Sequence, residues 1–167
     1  MTVLTCLPQG LCSWNYTVTA DDCDVIAFME LGSMTGQGKI TLGSKHYDIN
    51  HIWLSGEWQL ELDGSAIATA VRPNPLTRLF EISDDSQALI LKASTPFSRL
   101  FVIEHNDTVI GTIQPVHAMT RRATVDCSSS IRRPVQVFLF WLTVLVWEQS
   151  QRQQNSTAFL NNAATGG

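Results

Sequence analysis

The chain has 167 residues, enough for one domain with its own core, and 44% of them are hydrophobic against only 16% charged. Soluble domains ordinarily carry about 25% charged residues, so this composition favours sheet-rich structure. The net charge of −4 excludes the global basic field that nucleic-acid binding uses.

The start, Met1 to Gly10, has no basic n-region and no long apolar h-region, so a cytoplasmic placement is expected. Cys6, Cys12, Cys23 and Cys127 contain no C-x-x-C pair, which argues against a zinc site and for reduced thiols. Trp14, Tyr16 and Val18 alternate as a first strand, and Val25 to Leu31 reads as the next. Gly32, Gly36 and Gly38 mark a loose connection, without the strand–turn–helix setting of a phosphate loop. Strands follow at Lys39 to Leu42 and His46 to Ile49. Trp58, Leu60 and Leu62 alternate with Gln59 and Glu61, and Asp63-Gly64 then predicts a tight hairpin returning through Ser65 to Val71.

An internal repeat comes next. Pro75-Leu76-Thr77-Arg78-Leu79-Phe80-Glu81-Ile82 matches Pro96-Phe97-Ser98-Arg99-Leu100-Phe101-Val102-Ile103. Each copy leads into a polar turn and a returning strand, at Ala88 to Lys92 and at Thr108 to Ile113. A repeat of this length is one hairpin, so the chain reads as successive antiparallel hairpins. About ten strands are expected before the helix, including a weak one at Ala123 to Cys127.

The stretch Val135 to Trp147 is apolar except for Gln136 and Thr143. A helix apolar on every side must be enclosed on every side. Crossing a bilayer takes about 20 residues, and shorter apolar runs are more often buried core helices. A helix is therefore predicted near 133–149, with Pro134 in its first turn and Ser128, Ser129 and Ser130 as candidate caps. A barrel of about ten strands or more is too wide for its own side chains to fill, and one apolar helix along the axis fills it. Residues 1–150 then form a single domain. Residues 151–167 are polar and small and read as a flexible tail, with Phe159 and Leu160 as the residues able to dock it.

A meander of strands ending in one wholly apolar helix resembles the tubby-like superfamily: the tubby C-terminal domain, the phospholipid scramblases and the LURP-one-related proteins. The likeness is carried by Trp58 to Gly64, Arg99 to Ile103, Ile110 to Ile113 and Pro134 to Trp147. It implies a mainly β fold: a closed antiparallel barrel of about a dozen strands enclosing a central hydrophobic C-terminal helix. It also implies an association with membranes, since tubby domains bind phosphoinositide head groups and scramblases are linked to lipid movement. Thr124 to Ser130, which occupies the place of the scramblases' acidic calcium segment, holds one carboxylate, too few for a calcium cage.

No residue pattern announces catalysis. His46, His51, His105 and His117 lie in no recognisable motif, and there is no G-x-S-x-G elbow. The adjacent acids Asp21-Asp22-Asp24 and Asp84-Asp85 suit turns better than a paired-carboxylate site. The cations are more suggestive, because arginine forks suit phosphate. Arg121-Arg122 and Arg132-Arg133 bracket the last strand, while Arg78 and Arg99 hold equivalent places in the repeat. The expectation is a non-enzymatic barrel with no metal and no cofactor, peripheral to the membrane. Its partner would be a membrane surface or anionic lipid, held at a rim of Arg121, Arg122, Arg132 and Arg133. Two readings compete with it: a hydrolytic or metal-dependent enzyme with an unrecognised site, and a tail anchor through 135–147.

Overall fold

A computed structural model describes residues 1–20, 25–32 and 35–165 and builds them into twelve strands and one helix. In chain order the strands are β1 (Thr2–Pro8), β2 (Tyr16–Ala20), β3 (Val25–Leu31), β4 (Gly38–Leu42), β5 (Lys45–Ile52) and β6 (Glu57–Leu62). They continue as β7 (Ser65–Val71), β8 (Leu79–Asp84), β9 (Ala88–Ala93), β10 (Phe101–His105), β11 (Thr108–Pro115) and β12 (Ala123–Cys127), and the helix is α1 (Arg133–Thr165). Asp21, Asp22, Asp24 and Cys23 lie outside the described residues.

Each strand pairs antiparallel with its neighbour in sequence, and β1 pairs with β12 to close the barrel. Closure leaves no unpaired edge. The closing strand β1 is the one the sequence pattern does not announce. Leu4 and Cys6 point inward from it and are fully buried, while the other residues of the strand are partly exposed. Period-two alternation elsewhere places Tyr16, Ile40, Leu60, Phe80, Leu91 and Phe101 inside. Asp63 and Gly64 both have positive φ, at 53° and 80°, as a two-residue hairpin between right-twisted strands requires.

The helix runs down the interior. From Val135 to Trp147 no residue is more than 4% exposed. Large apolar side chains removed from water in this way contribute about 1.5–3 kcal/mol each. Of the two polar residues in the stretch, Thr143 bonds back to the carbonyl of Leu139 at 3.0 Å, and Gln136 donates to the carbonyl of Ile131 at 2.7 Å. Gln136 Oε1 and the Trp147 indole nitrogen are buried without a hydrogen-bond partner.

Two details of the expected helix are corrected. The serines do not cap it: Ser128 Oγ accepts from the Ser130 amide at 3.2 Å, and the Ile131 amide bonds to the Ser128 carbonyl at 3.1 Å, forming a turn ahead of the helix. The helix also continues past 149 to Thr165. Helix-compatible Gln, Arg and Ala, together with a Glu148–Arg152 pair at i,i+4 spacing, sustain it outside the barrel. Phe159 and Leu160 are 76% and 68% exposed, so they do not dock. Among the described residues no helix is long and apolar enough to cross a membrane. The tail-anchor reading fails because 135–147 is enclosed by strands.

Tyr16 gives the first testable consequence. Its ring packs edge-on against Phe140 at 5.0 Å, and its hydroxyl donates to the carbonyl of Arg121 at 3.1 Å. Burial pushes the phenol from 10.0 up to about 12, with Arg121 pulling the other way. A folded-state value above the unfolded one means the neutral phenol stabilises the fold fully below pH 10 and that stability is lost as pH climbs through about 12. Phenolate absorbance is therefore expected to appear late and together with loss of structure. Free titration of both tyrosines near pH 10, with the fold intact, would contradict the enclosed position.

Candidate functional site

The strands alternate in direction, so their connections fall at two ends. α1 enters at one end, after β12, and leaves at the other, beyond Trp147. The entrance end carries Asp63, Asp84, Asp85 and Asp107 in or beside its turns. The exit end holds the connections β7–β8 (residues 72–78), β9–β10 (94–100) and β11–β12 (116–122). These segments contain Arg72, Arg78, Arg99, Arg121 and Arg122 together with His117, and no acid. The β7–β12 side of the exit end thus carries a local positive charge that a net charge of −4 does not reveal.

The expected four-arginine rim does not assemble. Arg121 and Arg122 precede β12, and Arg132 and Arg133 follow it. At about 3.3 Å per strand residue the two pairs sit at opposite ends of the barrel. At the entrance end, Arg132 is balanced by acids: it lies 3.5 Å from Asp84 and 3.9 Å from Asp85, and it bonds to the carbonyl of Ile67 at 3.1 Å. Asp84 is also held by its own turn. Burial pushes its carboxyl up, but this is outweighed by bonds from the Ser86 hydroxyl and the Ser86 and Gln87 amides, together with Arg132, so it stays below the usual range. Arg133 is half-buried at the start of α1.

The exit-end arginines are built differently, and the internal repeat explains how. Arg78 donates to the carbonyls of Pro96 and Ser98 in the next loop, at 3.2 and 2.7 Å. Arg99 donates to the carbonyls of Ala118 and Thr120 in the loop after that, at 3.1 Å each. Arg121 completes the series by bonding to Gly10, Leu11 and Ser13 in the β1–β2 connection. Ala118-Met119-Thr120-Arg121 is therefore a third copy of the repeat, 22 residues after Arg99, with Ala in place of Pro. Each guanidinium also covers an aromatic ring: Arg72 over Phe80, Arg78 over Phe101, Arg99 over Trp147 and Arg121 over Trp14, at 5.7, 5.4, 4.9 and 5.0 Å.

Carbonyls and ring faces satisfy hydrogen bonds but do not cancel charge. Among the described residues none of these arginines has a carboxylate partner. Burial lowers the pKa of Arg72, Arg78 and Arg99, and the like charge of Arg78 lowers that of Arg72 further. These remain cations, because guanidinium does not deprotonate in proteins. Arg122 is exposed, and its side chain serves no loop.

The remaining candidates do not converge. His46 lies 3.3 Å from the Thr41 hydroxyl, His51 stacks on Trp58 at 4.2 Å, and His105 Nδ1 lies 2.8 Å from the carbonyl of Ala88. His117 is in the β11–β12 loop at the exit end, whereas Cys127 ends β12 at the entrance, so the two cannot act together. Cys6 and Cys127 are buried free thiols and Cys12 is an exposed one. Burial raises the Cys6 thiol strongly and pushes Cys127 up to about 11, both away from nucleophilic character. Among the described residues no group of three His, Cys, Asp or Glu is placed to hold a metal ion.

No family model matches the chain, and no curated protein matches it in sequence. Among solved structures, an X-ray structure of a protein from Arabidopsis thaliana matches with a TM-score of 0.55 at 11% identity. The match covers 86% of this chain and 88% of that one. At this identity the likeness concerns the fold, a closed barrel with its helix.

Proposed function

We propose that the chain is a non-enzymatic binding module that docks on anionic phospholipid surfaces through the exit-end half-rim. The observation that carries the reading is the set Arg72, Arg78, Arg99, Arg121 and Arg122 on three successive loops that contain no acid. The guanidinium groups of Arg72, Arg78, Arg99 and Arg121 are oriented by loop carbonyls, so their charge is held in place before any ligand arrives, while Arg122 stands free beside them. The reading keeps Arg121 and Arg122 from the sequence-based site and replaces Arg132 and Arg133, whose end of the barrel is acidic. Membership of the tubby-like superfamily, in its LURP-one-related branch, accords with the twelve-strand barrel, the enclosed helix and the plant barrel of similar fold.

Arg122 offers a clean test, because removing it breaks no loop contact. A basic side chain near an anionic membrane contributes about 1 kcal/mol. Arg122→Glu is therefore expected to weaken sedimentation with phosphatidylserine-containing vesicles by about tenfold or more at low salt. Wild-type binding should fall as salt rises. Arg132→Gln, at the acidic end, should change binding little. Equal sedimentation with neutral and anionic vesicles, or a larger loss from Arg132→Gln than from Arg122→Glu, would overturn the reading.

A further inference from the structure

The same three loops share a second property. In each, a backbone bond closes a tight turn: Thr77 N to Asn74 O at 3.0 Å, Ser98 N to Thr95 O at 3.1 Å, and Thr120 N to His117 O at 3.2 Å. The residue just before the bonded amide stands at each apex. It is Leu76, Phe97 or Met119, and these are 90%, 95% and 98% exposed. Three apolar residues at one position of a thrice-built turn differ from the single apolar residues scattered on any surface. Each is followed two residues later by an arginine turned back onto the rim.

We propose that Leu76, Phe97 and Met119 insert into the boundary between head groups and acyl chains of an anionic bilayer, seating the barrel on its β7–β12 side. The inference rests on the anionic-surface reading above and adds a depth and an orientation to it. Two arguments favour lipid over a protein groove. Alternate connections of a barrel lie two strands apart, about 10 Å, so the apexes are separate convex points and not one continuous patch. A fluid boundary accepts such points one by one, whereas a folded partner would need a matching pocket for each. Charge is the second argument: the arginines stand just behind the apexes, at the level of head-group phosphates once the apexes are submerged. That is the layering of interfacial anchors, apolar tips below and cations above.

The helix fixes the tilt. Beyond Glu148 it leaves from the same end, and its Gln, Asn and Arg residues do not enter hydrocarbon. The axis must therefore incline, with the β9–β10 loop lowest and the helix lying clear of the membrane core. The β1–β2 and β5–β6 loops also expose Leu11, Trp53 and Leu54, at 96%, 78% and 80%, but carry no cation and would stand higher.

The test places an environment-sensitive fluorophore at single cysteines, Leu76→Cys, Phe97→Cys, Met119→Cys and, at the entrance end, Lys45→Cys, in a Cys12→Ser, Cys23→Ser background. Phosphatidylcholine vesicles with and without phosphatidylserine are the probe. Blue-shifted emission is expected at 76, 97 and 119 on the anionic vesicles, and none at 45. The triple variant Leu76→Ser, Phe97→Ser, Met119→Ser should bind at least about tenfold more weakly with an unchanged melting temperature, since the apexes touch no core. Salt-dependent sedimentation with all labels unshifted would overturn insertion while leaving the electrostatic reading intact. No sedimentation with either vesicle would overturn both. Shifts that grow with protein concentration in the absence of vesicles would assign the apexes to self-association and overturn the proposal.

Discussion

Replacing Trp141 with alanine is expected to lower the free energy of unfolding by about 3–5 kcal/mol, the range for large aromatic residues removed from a core. Trp141 is fully buried at the middle of the enclosed helix. Its indole nitrogen donates to the carbonyl of Glu30 at 3.0 Å, and its ring stacks near Phe138 at a centroid separation of 6.5 Å. Truncation therefore removes apolar contact and also leaves a carbonyl without its donor. A helix inside a closed barrel has strands on all sides, so the cavity has little freedom to collapse. Equilibrium denaturation in urea measures the loss. Trp141→Phe, which keeps most of the packing but not the hydrogen bond, should cost clearly less than alanine. A loss under about 1 kcal/mol for Trp141→Ala would mean that the residue is outside the core.

That prediction was open to a reader of the sequence, because all-round apolarity is a one-dimensional signal. Val135 to Trp147 has no polar face, and such a segment has to be surrounded. The hairpins were legible for a similar reason: Asp63-Gly64 and the alternation of Trp58, Leu60 and Leu62 act over a few residues. The closing strand β1 was not. It contributes only Leu4 and Cys6 to the interior, a short pattern, and its pairing partner β12 is more than a hundred residues away. The end of the helix was also misplaced, because the loss of apolar residues after Ser150 marks where the barrel stops and not where helical hydrogen bonding stops.

The arginine rim was half legible. Adjacent pairs such as Arg121-Arg122 and Arg132-Arg133 draw the eye, yet a strand between two pairs sends them to opposite ends. What groups cations in a meander is equivalent position in successive hairpins, and Arg78 and Arg99 carried that signal. Their third partner was obscured because Ala118 stands where the other copies have Pro75 and Pro96, and because Arg122-Ala123 replaces the Leu-Phe that follows the arginine. The exposure of Leu76, Phe97 and Met119 could not be read at all: apolar residues inside loop segments look like core until the turn that lifts them is known.

Gly38→Ala is expected to be nearly as damaging as the loss of Trp141, and the two effects should not add. Gly38 opens β4 and pairs with Leu31 of β3, facing the helix. A Cβ placed there would lie 2.2 Å from the indole nitrogen of Trp141, 2.7 Å from a second atom of the same ring and 2.6 Å from the carbonyl oxygen of Glu30. Those are positions that no ordinary side-chain motion relieves, since the indole is fully enclosed and the carbonyl belongs to a paired strand. Overpacking of this kind costs about 1–3 kcal/mol and more where nothing can shift, so a loss of about 3 kcal/mol is expected by denaturant titration. Two of the three nearest atoms belong to the ring, and removing the ring should relieve that part of the loss. In a Trp141→Ala background both ring collisions are gone and the 2.6 Å approach to the Glu30 carbonyl remains, so the relief is partial. The cycle should then show a coupling of at least about 1 kcal/mol, with the double variant more stable than the sum of the single losses allows. Strict additivity would place Gly38 and Trp141 out of contact, and with it would go the account of a glycine kept small so that the widest residue of the axial helix can seat against the wall.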